Sequence, residues 1–189
     1  DKIILSTESK KYAEIAKKYG AEVPFLRPIK FSSSTSPDYS WVNFTIKKLE
    51  ASGRKFTHFF ILRPTNPFRT DKVILKAWKK FQKYNPESLR AVSICKEHPF
   101  KMWSIVNKFI KPIIKKKTLK QPAFNCQYQS LSKIYTQNAS LEISRTEVLK
   151  KYKTITGKKI LPFFSDKLSS IDINYKEDFI KAKKMFKKK

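Results

Sequence analysis

Two rhythms of apolar residues alternate along this chain. A short β-type run, Lys2-Ile3-Ile4-Leu5-Ser6-Thr7, stops at polar residues, and from 8 to 19 Tyr12, Ile15, Ala16 and Tyr19 recur at helical spacing until Gly20 ends the pattern. Residues 22–26 read as a short extended piece before Arg27-Pro28. After the polar loop Ser32-Ser33-Ser34-Thr35, Ser36 as N-cap and Pro37 at the first helical position predict a helix with Trp41, Val42, Thr45, Ile46 and Leu49 on one face. Residues 57–62 form a continuous apolar run, the kind of strand buried on both faces of a parallel sheet. Thr70 or Asp71 then caps a helix to Tyr84, with Val73, Ile74, Ala77, Trp78 and Phe81 inward, and 89–95 reads as the next strand. The stretch 97–137 is poor in helix signals. Beyond it the pattern predicts a strand at 139–143, a short helix at 144–152, a strand at 159–164 and an amphipathic helix from about 175 to 186. Strand and helix alternate through the first half, so the expected class is α/β with a parallel sheet covered on both faces, in one domain of 189 residues.

Composition narrows the function classes. Hydrophobic residues make up 40% of the chain, with 15 Phe, which excludes a disordered polycation. Three Gly leave no place for a GxGxxG or Walker-type loop, and two Cys, Cys95 and Cys126, cannot form a four-ligand zinc site. No apolar run approaches the length of a membrane span, and no secretory signal opens the chain. The net charge of +27 invites a nucleic-acid reading. Only six of the 42 cations are Arg, however, and the Lys are spread along the whole chain rather than gathered in a reading head. The charge reads as a solvated surface that helps an anionic ligand arrive, not as a specific nucleic-acid site.

Four segments carry candidate chemistry. Arg63-Pro64-Thr65-Asn66-Pro67-Phe68-Arg69 follows a strand end, where open α/β sheets bind ligands; it is equally a rigid connection with surface arginines. In Ser170-Ile171-Asp172-Ile173-Asn174 a carboxylate stands two residues before an amide, a spacing that can hold a hard cation such as Mg²⁺ or simply cap the last helix. His98-Pro99-Phe100-Lys101 offers a histidine that reads more readily as hydrogen-bonded structure than as a base. The amides, phenols and carboxylate of Gln127-Tyr128-Gln129 and Tyr135-Thr136-Gln137-Asn138-Ala139-Ser140-Leu141-Glu142 suit a polyhydroxylated ligand or serve as polar edge-strand filler.

Taken in order, these segments resemble the acylneuraminate cytidylyltransferase family, the CMP-sialic acid synthetases and their relatives acting on other nonulosonic acids. Ile4-Leu5-Ser6-Thr7-Glu8 is similar to the family's "VSTD" strand end. Tyr19-Gly20-Ala21-Glu22-Val23-Pro24-Phe25-Leu26-Arg27-Pro28 is close to "GAEVPFLRP", Arg63 to Arg69 parallels "QPTSPLR", and Ser170 to Asn174 parallels the terminal "IDID". The resemblance implies a Rossmann-like, three-layer nucleotide-diphospho-sugar transferase fold with a mostly parallel sheet, as a cytoplasmic homodimer. The implied reaction joins CTP and a nine-carbon acidic sugar into the CMP-sugar and pyrophosphate, with Mg²⁺ as cofactor. Carried over by position, Arg27, Ser34 and Thr35 lie near the nucleotide, and Arg63, Lys101, Gln127, Asn138 and Glu142 near the sugar. Asp172 is the catalytic metal ligand, with Asn174 beside it.

Departures accompany the likeness. Arg63 replaces the family's usual Gln, Glu142 stands where Tyr is common, and Asn174 replaces the second metal-binding Asp, so a neutral amide weakens a two-carboxylate site. The family's first strand and its "ARxGSKxxxxKN" phosphate loop correspond to a region before Asp1, so the chain is expected to be a C-terminal fragment with little or no activity by itself. The alternatives are a nucleotidyltransferase for another sugar acid such as a 3-deoxy-octulosonic acid, a non-catalytic relative acting as partner subunit, and, last, a basic nucleic-acid-binding module.

Overall fold

The computed structural model describes residues 1–118, 121–166, 168–169 and 171–187; Ser170 of the segments above lies outside the described residues. In chain order the helices are α1 (Lys10–Lys18), α2 (Asp38–Ala51), α3 (Asp71–Tyr84), α4 (Thr146–Tyr152) and α5 (Lys176–Phe186). The strands are β1 (His58–Ile61), β2 (Ser88–Ile94), β3 (Trp103–Val106), β4 (Phe109–Pro112), β5 (Lys117–Thr118), β6 (Gln121–Pro122), β7 (Tyr135–Arg145) and β8 (Ile160–Phe164).

Local chemistry explains the helix ends. Ser9 caps α1 by accepting from the Tyr12 N–H, and Gly20 and Gly53 take left-handed φ of 85° and 81° just past α1 and α2. The N-cap of α2 is Pro37, one residue later than the sequence pattern predicts. The Ser36 hydroxyl is engaged instead by Ser33, whose N–H donates to it at 3.1 Å. Thr70 caps α3 through the Val73 N–H. The Tyr12, Ile15 and Tyr19 edge of α1 faces solvent, and the buried contact of that helix is Ala13.

The main sheet has four strands in the order β1-β7-β2-β8. β7 runs antiparallel to β1, from His58 opposite Arg145 to Ile61 opposite Glu142. It also runs antiparallel to β2, because Arg145 N–H reaches Glu87 O at one end and Cys95 N–H reaches Ile134 O at the other. β8 follows β2 in the same direction: Ser88 N–H bonds Lys159 O, and Ser165 N–H bonds Val92 O. The sheet is therefore largely antiparallel, which corrects the mostly parallel Rossmann-like sheet expected from the alternation of elements. The reason lies in 97–137. Lacking helix signals, that stretch cannot supply a helical crossover, so the chain returns as one long strand inserted beside β1. β1 thereby ends the row of strands, and His58, Phe59 and Phe60 are half-buried rather than covered on both faces.

The chain divides into two compact units. The first comprises Asp1–Ile61, Ala77–Leu89 and Glu142–Leu161. Its core is Val42 and Ile46 from α2, Ile61 from β1, Leu149 from α4, and Ile155, with Tyr39, Trp41 and Phe59 packed against them. Each fully buried side chain of this size stabilises the fold by about 1.5–3 kcal/mol. Trp78 and Phe81 of α3 meet His58 edge to face, with ring centroids 5.3 and 5.4 Å away, and burial holds the His58 imidazole below its ordinary pKa. The second unit comprises Leu62–Lys76, Arg90–Leu141 and Pro162–Lys189 and buries Phe68, Ala91, Leu131, Leu141, Phe163 and Ala182. Among the described residues, no helix is long and apolar enough to cross a membrane.

Candidate active site

The loop after β1 is built for rigidity. Pro64 and Pro67 restrict the backbone, and Asn66 N–H closes a turn onto Arg63 O at 3.2 Å. Arg69 sits beneath it, donating to Ser140 O at 2.6 Å and to Arg63 O at 3.1 Å, and burial lowers its pKa from the usual guanidinium value. Asn66 is buried, and its side-chain Nδ2 donates to both Ser169 O and Ile171 O at 2.8 Å. Ile173 N–H donates to Thr65 O at 2.9 Å. The loop thus holds the segment that carries Asp172. Upstream of that segment, the Asp166 carboxylate accepts from the Ser169 and Leu168 N–H groups, with Ser169 chiefly responsible for its lowered pKa.

These elements line an open cavity of about 630 Å³, formed by Arg63, Thr65, Gln137, Asn138, Asp172 and Asn174 within the second unit. Asn138 is braced on both sides of its amide: Nδ2 donates to Ser165 Oγ at 2.8 Å, and Oδ1 accepts from Ser140 N–H at 3.1 Å. Asn174 Nδ2 donates to Asp172 Oδ2 at 3.1 Å, while Asp172 Oδ1 is buried with no hydrogen-bond partner. The N-terminus of α5 is served by Asp178, which accepts from the Asn174 and Tyr175 N–H groups. Capping is therefore not what Asp172 and Asn174 do with their side chains. A buried carboxylate oxygen without a partner, in a cavity lined by three amide side chains, has the donor chemistry of a hard-cation ligand. Among the described residues no group of three or more His, Cys, Asp or Glu gathers to form a metal cage.

Of the residues read from the sequence, Arg63, Asn138, Asp172 and Asn174 meet in this cavity. Thr65 and Gln137 join them without having been singled out individually, though both lie in segments the sequence marks as polar and placed at strand ends. Gln127 lies exposed on a 3₁₀ turn, its carbonyl accepting from Ser130. Lys101 Nζ donates to Phe124 O at 3.2 Å and Cys126 O at 2.8 Å. His98 is buried, its Nε2 on Ser132 O and its Nδ1 accepting from Phe100 N–H, which makes it a structural histidine. Glu142 is buried on β7 opposite Ile61, in the first unit. Also in that unit, Arg27 donates to Ser32 Oγ and to Glu8 Oε2, both at 3.0 Å, and lies 5.7 Å from the Trp41 ring centroid. That arginine lowers the Glu8 pKa, second to the hydrogen bond from Glu8's own backbone. Ser34 and Thr35 stand exposed in the loop beside Ser33, whose hydroxyl bonds that of Thr35 at 3.3 Å.

Comparison with known proteins supplies the wider context. No protein-family model matches the chain. It is 26% identical over 178 residues to post-translational flagellin modification protein B of Campylobacter coli, covering 94% of this chain and 73% of that protein. It is 27% identical over 186 residues to the CMP-N,N'-diacetyllegionaminic acid synthase of Legionella pneumophila, covering 98% of this chain and 78% of that enzyme. Against the N-acylneuraminate cytidylyltransferase of Escherichia coli O18:K1:H7 the identity is 25% over 183 residues, and the chain spans 40% of that protein's length. Among solved structures, a CMP:2-keto-3-deoxy-manno-octonic acid synthetase complexed with CTP superposes with a TM-score of 0.66 at 8% identity, covering the whole of this chain and 81% of that one. A 4-diphosphocytidyl-2C-methyl-D-erythritol synthase from Anaerococcus prevotii gives 0.64 at 15% identity, covering 99% and 82%. The fold and the sequence likeness together make this chain a nucleotidyltransferase-like member of the superfamily that includes the CMP-sugar synthetases.

Proposed function

We propose that this chain carries cytidylyltransferase chemistry: transfer of CMP from CTP to the anomeric hydroxyl of a nonulosonic, sialic-type acid. The observation behind this reading is one cavity that presents a guanidinium, a carboxylate with an unpartnered oxygen, and four neutral hydrogen-bonding side chains. That set suits a ligand which is both anionic and rich in hydroxyls. The sequence likeness to CMP-sugar synthases supports the same choice.

In the proposed step the anomeric oxygen bonds to the α-phosphorus, the α–β anhydride bond breaks, pyrophosphate leaves, and the hydroxyl proton passes to water. Arg63 pairs with the sugar carboxylate. Gln137, Thr65 and the braced amide of Asn138 orient sugar hydroxyls, so that the attacking oxygen starts in line with the leaving group. Asp172, with Asn174 beside it, would hold Mg²⁺, whose chemistry when bound would be charge neutralisation at the phosphates. Arg27, Ser34 and Thr35, in the first unit, are the residues that the family resemblance assigns to the nucleotide.

The test is pyrophosphate release by the purified protein, with CTP and Mg²⁺ against a panel of nonulosonic acids and a 3-deoxy-octulosonic acid. Release with CTP but not ATP or GTP, fastest with a nine-carbon acid, is the expected result. A preference for the eight-carbon acid moves the substrate assignment, and no release with any pair from folded protein overturns the reading.

A further inference from the structure

We infer that Asn66 is a positioning residue whose buried amide sets the Asp172 carboxylate in the cavity; the inference rests on the reading of Asp172 as the cation ligand. Asn66 does not line the cavity. Its two Nδ2 hydrogens go to carbonyls two residues apart, Ser169 O and Ile171 O, over a sequence separation of more than a hundred residues. The neighbouring Thr65 takes the Ile173 N–H. Asp172 therefore has a pinned residue on each side, through Ile171 O and Ile173 N–H, and its backbone cannot shift without breaking one of the pins.

The chemistry of the side chain supports positioning over plain packing. Asn66 is only 3% exposed, yet its Oδ1 has no hydrogen-bond partner. Burying an amide with an unsatisfied oxygen costs stability, so burial alone gives no reason for Asn at this place. What the amide does well is donate twice from one nitrogen. Ser is too short to bridge both carbonyls, and Asp would set a carboxylate against them. Partners that orient a metal-ligating carboxylate without touching the metal typically change its affinity 10- to 100-fold when removed.

The test uses the protein and its Asn66→Ser and Asn66→Ala variants. Hydrogen exchange reads the Ile173 amide, and Mn²⁺ alone, followed by paramagnetic broadening of the amides of 171–174, reads the carboxylate. Both variants are expected to speed Ile173 exchange and to weaken Mn²⁺ binding by roughly tenfold or more, with exchange in α2 and β1 unchanged. Asp172→Asn should abolish the broadening while leaving Ile173 exchange slow. If Asn66→Ser, folded, keeps both the wild-type Ile173 exchange rate and the wild-type Mn²⁺ response, the inference falls; wild-type protein without broadening at 171–174 overturns it as well. Absence of pyrophosphate release, with these shifts observed, sinks the reaction proposed above and leaves the role of Asn66 standing.

Discussion

Asn174 donates its side-chain amide to the Asp172 carboxylate at 3.1 Å, so one oxygen of that carboxylate is occupied by a neutral donor and the other is left buried without a partner. The hydrogen bond shows what an amide does beside this carboxylate. It orients the single carboxylate, where a second acid would add charge.

Asn174→Asp replaces that donor with a second acid. Carboxylates this close repel, which raises the pKa of one of them, and a divalent cation relieves the repulsion. Mn²⁺ affinity measured by calorimetry at neutral pH should rise on the order of tenfold, since ligand charge count is a main determinant of affinity for hard cations. Unchanged or weaker binding would show that the Asp172 oxygens do not face the added ligand.

Arg69→Ala strips the donors from Ser140 O and Arg63 O. Losing both charge-assisted hydrogen bonds, with Arg63 O keeping the Asn66 N–H, should lower the unfolding free energy by about 1–3 kcal/mol, read from the urea midpoint. Arg69→Lys keeps the charge but not the fork that reaches two carbonyls, and should recover only part of the loss.

Glu87 is a hub of the first unit. Its carboxylate accepts from Tyr152 OH at 2.7 Å and from the Lys158 and Lys159 N–H groups at 2.6 and 2.9 Å. These bonds, Tyr152 first, bring its pKa down from 4.5 to about 2. A depressed folded value means the unfolded chain binds the proton more readily. The stabilisation is therefore complete above pH 4.5 and is lost as the pH falls toward about 2. Denaturation midpoints between pH 6 and pH 2.5 should fall less in Glu87→Gln than in the wild type; parallel curves would remove Glu87 from the account.

Leu149→Ala empties the centre of the core shared by α2, β1 and α4. With Leu149 at 1% exposure and its neighbours held by Val42, Ile46 and Ile61, the site has little room to collapse. The cost should be about 2–5 kcal/mol, measured by chemical denaturation. A loss below 1 kcal/mol would mean the helices close over the gap.

Much of the local structure was legible in the chain. The α3 face of Ala77 and Phe81, the stop at Gly20 and the proline-bracketed loop from 63 to 69 all follow from periodicity and backbone chemistry confined to neighbouring residues. The cavity was half legible. Arg63, Asn138, Asp172 and Asn174 stand out as residue types in marked segments, whereas Thr65 and Gln137 do so only once β7 and the loop lie side by side.

What the sequence alone determined about this protein is where its elements lie and which short segments carry polar chemistry, because helix caps, turns and apolar periods act over a few residues. Direction and partnership were decided only in three dimensions. Nothing local to 135–145 says that it runs antiparallel between β1 and β2, and nothing local to Asn66 says that its amide will meet carbonyls more than a hundred residues away. Those outcomes depend on which strands bury each other's faces and which donors find acceptors once water is excluded, and that is settled by the whole chain at once.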